Sequence, residues 1–216
     1  MTVSLIRVEG LCSLTAAHVA GTLALQGRTL VDKSWRSAAA WSSLPLALSG
    51  VLDDDDATRL AWVSLRGLSE DRIALLADGV AEAHADRVRA ALAERIAARR
   101  RLGDHVVLIT DLPGCFAEPL LDGLGADERW TNALEVRSGR ATGALEQPLV
   151  SSRLAGNALR TWCEARGTRP EHCTAFAARS SDVALLASVG HPCAVRPDRA
   201  LASHARRLGW PVEVRG

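Results

Sequence analysis

The chain has 216 residues, is 48% hydrophobic and carries a formal net charge of +1. That length accommodates one sizeable core, or a core with a smaller inserted module, and the near-neutral charge gives no global reason to expect nucleic acid or an anionic membrane as partner. No apolar run approaches the roughly 20 residues needed to span a bilayer, and no basic stretch followed by a signal-like apolar stretch opens the chain, so a cytoplasmic location is expected.

Residues 3–8 read as a first apolar strand, and from about Thr15 to Arg101 the pattern is helical almost throughout. The clearest helix begins at Ser69, an expected N-cap before Glu70 and Asp71. It carries Ile73, Leu76, Val80, Val88, Leu92 and Ile96 at near-helical spacing. Arg99, Arg100 and Arg101 before Gly103 suit the negative end of the helix dipole, and the four aspartates at 53–56 suit a solvated helix start. "HVVLITDLP" at 105–113 reads as a buried strand, and "LEVRSGRATGAL" at 134–145 as a hairpin turning at Ser138 and Gly139. There follow a helix from Ala155 to Arg166, a strand at 173–178, a helix at 181–189, a short strand at 193–195, a helix at 198–207 and a last strand, "PVEV".

Strands alternating with helices after residue 104, plus one N-terminal strand, describe an α/β, doubly wound parallel sheet. The expected division is an α/β core from residues 1–14 and 102–216, with residues 15–101 inserted after the first strand as an α-helical cap. Ligands of such sheets sit beyond the carboxyl ends of the strands. Attention therefore falls on Arg7 to Cys12, Thr110 to Pro113 and Ala178 to Asp182. The five cysteines are odd in number and lack CxxC spacing, which favours reduced thiols over disulfides or structural zinc. Cys12 has no base that sequence can identify and reads as a buried small residue. Trp35, Trp41 and Trp62 read as packing groups.

The segments in this order, and above all "EVRSGRATGAL" and "SVGHPCAVRPDRALASHARRLGWPVEV", resemble the haloacid dehalogenase (HAD) superfamily in its phosphoserine-phosphatase-like branch. The resemblance implies a HAD-like core with a helical cap and a reaction built on several parts. A first aspartate attacks phosphorus and holds Mg²⁺, and a second, two residues on, serves as acid and base. A hydroxyl residue and a lysine bind phosphoryl oxygens, and later acids complete the metal site.

Placed on this sequence, "RVEG" puts Arg7 at the nucleophile position and Glu9 at the acid/base position. Guanidinium stays protonated and offers no lone pair, whereas Glu9 is chemically competent. Thr110 falls at the hydroxyl position. The lysine position falls at Ala155 or near Arg153, and Lys33, the only lysine, lies elsewhere. In "AFAARSSDVALL" the first acid is Ala178, the serine is Arg179, and Asp182 is the acid that remains.

From these substitutions the residues are expected to hold no metal and no other cofactor. Arg7 is expected to pair with Asp182 and Glu9. The leading expectation is a metal-independent pseudophosphatase that has lost Mg²⁺-dependent chemistry and binds an anionic or carbonyl-containing small molecule through Arg7, Thr110, Asp182, Arg179 and Arg153. The alternative is a repurposed isomerase, dehydratase or cyclase with Glu9 as general acid/base, and the least favoured is a residual phosphohydrolase.

Overall fold

The structure is a computed structural model and describes residues 2–12, 19, 62–147, 150 and 155–214. Elements are numbered in chain order among these residues. They are β1 (Val3–Arg7), α1 (Val8–Cys12), α2 (Glu70–Arg101), β2 (His105–Pro113), α3 (Gly114–Leu121), β3 (Glu128–Asn132), β4 (Leu134–Arg137), β5 (Arg140–Leu145), α4 (Ala155–Ala165), β6 (Cys173–Ala177), α5 (Val183–Leu186), β7 (His191–Val195), α6 (Arg199–Leu208) and β8 (Val212–Glu213).

Six strands form one sheet in the order β3-β2-β1-β6-β7-β8, with every neighbouring pair parallel. Side chains alternate across a strand, so each sheet face is built from every second residue. Ile6, Val106 and Leu108 join Leu92 and Ile96 of α2 and Phe116 of α3 on one face. Val3, Leu5, Val107 and Ile109 join Leu159 and Cys163 of α4, Leu185 of α5 and Leu201 of α6 on the other. Both faces are covered, which is why the central strands read as continuous apolar runs.

The apolar positions assigned to the long helix, Ile73, Leu76, Val80, Val88, Leu92 and Ile96, are all buried, and Ala77 joins them. Ser69 stands at the N-cap with extended backbone, but its side chain makes no cap bond. Its backbone instead bridges Arg140 of β5, while Leu68 and Gly67 exchange hydrogen bonds with Ala141 at 2.9 and 2.7 Å. The hairpin is thereby pinned to the start of α2. Its turn places Ser138 and Gly139 at φ of 50° and 72°, the left-handed pair that suits the twist of a tight hairpin.

Three elements have no counterpart in the sequence reading: α1, the short helix directly after β1, α3, which contains Pro119, and β3, the edge strand whose residues are mostly half-buried. The helix expected at 181–189 is a 3-10 turn at Ser180–Asp182 followed by the short α5. Lys33, Trp35, Trp41, the aspartates at 53–56 and Arg153 lie outside the described residues. Trp62 is buried and stacks on Phe116 with centroids 5.5 Å apart, as a packing group does. Among the described residues no helix is long and apolar enough to cross a membrane.

Candidate active site

Three strand ends bring the site together. Arg7 is the last residue of β1, Glu9 lies in the helical turn that follows it, Thr110 and Asp111 lie near the carboxyl end of β2, and Asp182 closes the 3-10 turn after β6. β1 is hydrogen-bonded between β2 and β6, so side chains leaving these three ends converge.

The guanidinium of Arg7 is the hub. Its Nη2 donates to Asp111 Oδ2 at 2.8 Å, its Nε pairs with Asp182 Oδ1 at 2.8 Å, and Nη2 lies 3.4 Å from Glu9 Oε2. The pairings with Asp182 and Glu9 follow the sequence expectation, whereas Asp111 was not foreseen. Burial opposes the charge of Arg7, but Asp111, Asp182 and Glu9 outweigh it and raise the guanidinium well above its ordinary pKa.

Glu9 is fixed through its other oxygen. Oε1 accepts the Thr110 hydroxyl at 2.5 Å and the backbone N–H of Asp111 at 2.7 Å. Burial pushes its carboxyl up, Arg7 pulls it down and Asp111 pushes it up again, leaving it at about 7 against an ordinary 4.5. A carboxyl near neutrality can give a proton in one step and take one in the next. Cys12 is buried, and burial beside Glu9 pushes its thiol up to about 12, which disqualifies it as a nucleophile near neutral pH.

The frame around these groups is tight. A Cβ on Gly10 would stand 2.8 Å from that of Ala178 and 3.0 Å from Cγ of Arg179, so only glycine lets the β1 loop pass under the loop after β6. That loop is held by Asp198, which accepts the N–H of Ser180 at 2.8 Å and caps α6 through the N–H of Leu201 at 2.7 Å. Arg179 is half-buried and crosses Gly10; Ala155, one of the two residues considered for the lysine position, is a buried core residue. Asn132 donates to the carbonyl of Asp111 at 2.8 Å and to that of Val150 at 2.9 Å, and it accepts the N–H of Val150 at 2.7 Å. Sequence reading missed Asp111 and Asn132. The signal for Asp111 was its place directly after Thr110 in "TDLP", inside a strand end already marked for attention.

Glu9, Asp111 and Asp182 all face a guanidinium rather than a shared centre, and among the described residues no group of three or more His, Cys, Asp or Glu could hold an ion. In this arrangement the donors do not fit Mg²⁺, which needs near-octahedral oxygen ligation.

The family model of haloacid dehalogenase-like hydrolases matches residues 9–187. A phosphoserine phosphatase of Halobacterium salinarum is 33% identical over 160 residues, covering 73% of this chain and 72% of that protein. A probable phosphatase of Mycobacterium tuberculosis is 32% identical over 125 residues, 58% of this chain, and the chain spans only 43% of that relative's length. Among solved structures, a protein of unknown function from Bordetella pertussis superposes with a TM-score of 0.80 at 21% identity, covering 98% of this chain and 97% of that one. A phospho-aspartyl intermediate analogue of phosphoserine phosphatase superposes with a TM-score of 0.66 at 16% identity, covering 99% and 93%. At those identities the superpositions establish the fold.

These relatives correct the expected function. A pseudophosphatase that only binds a ligand, a repurposed isomerase, dehydratase or cyclase, and a metal-independent reaction are each overturned by relatives that carry phosphatase names at about a third identity. The charge count of the site differs as well. Against the charge changes at Arg7 and Ala178 stands Asp111, which brings to three the carboxylates around the guanidinium.

Proposed function

The chain belongs to the haloacid dehalogenase-like hydrolases, in the phosphoserine-phosphatase-like branch, and from that premise we propose that it hydrolyses a small phosphate monoester. The observation that carries this reading is Glu9, a buried carboxyl at about 7, held from one side by Thr110 and the Asp111 amide and facing Arg7 on the other. Protonated, it supplies a hydrogen to the departing alkoxide; ionised, it removes one from the attacking water. Arg7 places positive charge where phosphoryl oxygens gather negative charge, a task to which guanidinium is suited. We propose a cytoplasmic location, since five cysteines, odd in number and without CxxC spacing, suit reduced thiols.

The test is release of inorganic phosphate by the purified chain from O-phosphoserine and p-nitrophenyl phosphate, with and without added Mg²⁺. Glu9→Gln is expected to cost on the order of 10²–10⁴-fold in phosphate release from both esters, which share the water step, while first-turnover release of p-nitrophenolate, which leaves unaided, is slowed much less than that of serine, whose alkoxide needs a proton. Equal slowing of serine and p-nitrophenolate release in the first turnover would remove Glu9 from the acid role. No release from either ester would end the phosphatase reading.

A further inference from the structure

A phosphoryl-transfer site of this family's kind needs a carboxylate nucleophile, and Arg7 cannot be one. We propose that Asp111, at the end of β2, supplies that nucleophile, its Oδ1 attacking phosphorus while Arg7 holds its Oδ2. This inference rests on the phosphatase reading above and deepens it.

Three carboxylates surround Arg7, and their surroundings tell them apart. Glu9 has one oxygen committed to two donors and is the group suited to moving a proton. Asp182 is the deepest, with a side chain 1% exposed, packed against Nε of the guanidinium. Asp111 has the most accessible side chain of the three, at 10% against 3% for Glu9. Its Oδ2 is paired with Arg7 at 2.8 Å, while its Oδ1 is buried and accepts no hydrogen bond. A buried carboxylate oxygen without a donor calls for an explanation. An uncommitted lone pair beside a cation, at the strand end where the fold places its ligands, fits a nucleophile.

The backbone supports the same role. The amide of Asp111 is held by Glu9 at 2.7 Å and its carbonyl by Asn132 at 2.8 Å. Asn132 is itself fixed by both polar groups of Val150. Both sides of the Asp111 backbone are therefore anchored before any substrate arrives, which is the preorganisation that an attacking group requires. The same contact sets the proton-transfer group next to the nucleophile.

The chemistry balances with water as co-reactant. Oδ1 of Asp111 forms a bond to phosphorus as the bond from phosphorus to the ester oxygen breaks, and the proton on Glu9 passes to that oxygen. The products are the alcohol and an aspartyl phosphate. Water then attacks phosphorus, Glu9 takes its proton, the bond from phosphorus to Oδ1 breaks, and inorganic phosphate leaves with the Asp111 carboxylate restored.

The experiment traps the acyl phosphate. The full chain is mixed with p-nitrophenyl phosphate, quenched during turnover and reduced with borohydride, and its peptides are read by mass spectrometry; phosphate release is followed in parallel. Reduction at residue 111, lost in Asp111→Asn together with on the order of a hundredfold or more of the phosphate release, is the expected result. Should Asp111→Asn fail to fold, the position of the trapped group in the unaltered chain still decides. Phosphate release with trapping at Asp182, at Glu9 or nowhere would overturn the role of Asp111 and leave the phosphatase reading standing. No phosphate release from the unaltered chain would overturn both.

Discussion

Strands β1 and β2 carry an arginine–carboxylate cluster at each end, and the two are built on opposite terms. At the amino ends, Arg99 meets a single carboxylate. Its Nη2 and Nε both reach Asp104 Oδ2, and the Ser4 hydroxyl donates to the same oxygen at 2.7 Å. Burial would raise Asp104, but the hydrogen bonds from Ser4, Thr2 and Arg99 outweigh it and hold the carboxyl below its usual range. At the carboxyl ends one guanidinium faces three carboxylates, and there burial drives Glu9 up to about 7 against the pull of Arg7, with Asp111 adding to the rise. A matched pair ties the base of the sheet together. The buried set holds the carboxyl of Glu9 near neutrality.

Breaking the hub should have the largest effect on stability. Arg7→Met leaves three buried carboxylates without their cation, and the expected loss is roughly 3–5 kcal/mol near pH 8 by urea unfolding, shrinking as acid protonates them. A loss below about 1 kcal/mol would mean that the cluster is not held by its arginine.

Next comes the pH dependence of the unaltered protein. The folded-state pKa of Glu9 is raised, so the folded state binds more protons than the unfolded one between 4.5 and about 7. Its contribution to stability is therefore present below 4.5 and is lost as pH rises through about 7, on the order of 3 kcal/mol in all. Thermal melting of Glu9→Gln across that window should lack this slope. Asp104 runs the other way: its lowered pKa adds stability above the ordinary carboxylate range, and this is lost in acid.

A smaller effect separates the two clusters by function. Asp104→Asn should cost about 1–3 kcal/mol by removing the negative charge toward which Ser4 and Arg99 donate, and phosphate release at a temperature where the variant is folded should be unchanged. Lost turnover in that folded variant would show that the base of the sheet also governs the reaction.

The smallest expected change is at Thr110. Its hydroxyl lowers the pKa of Glu9, so Thr110→Val should move the alkaline limb of the activity profile upward at a stability cost of about 1 kcal/mol. An unmoved profile would detach Glu9 from that limb.

Much of this architecture was legible in local pattern. Ile73 to Ile96 followed helical spacing, "HVVLITDLP" had the continuous apolar run of a strand buried on both faces, and Ser138-Gly139 marked its hairpin. Each depends on neighbours a few residues apart, where chain geometry leaves few choices. The elements missed had weaker local signals. β3 is an edge strand of polar and half-buried residues that exists because β2 offers it hydrogen bonds, and α3 contains a proline that packing against α2 overrides.

The site divides along the same line. The family resemblance was enough to mark Arg7 as a cation at the nucleophile position, Glu9 as a carboxyl at the acid/base position two residues on, and Asp182 as a carboxylate on a later loop. Asp111 was visible as a letter but not as a partner. It meets Arg7 across 104 residues of chain, and whether a strand-end carboxylate points to solvent or to a buried guanidinium is settled by register between β1 and β2. That register pairs Arg7 with Ile109, two residues before Asp111. Charges interact through space at a few ångströms, so the balance of one cation against three carboxylates, and with it the protonation of Glu9, arises only when the strands are laid side by side.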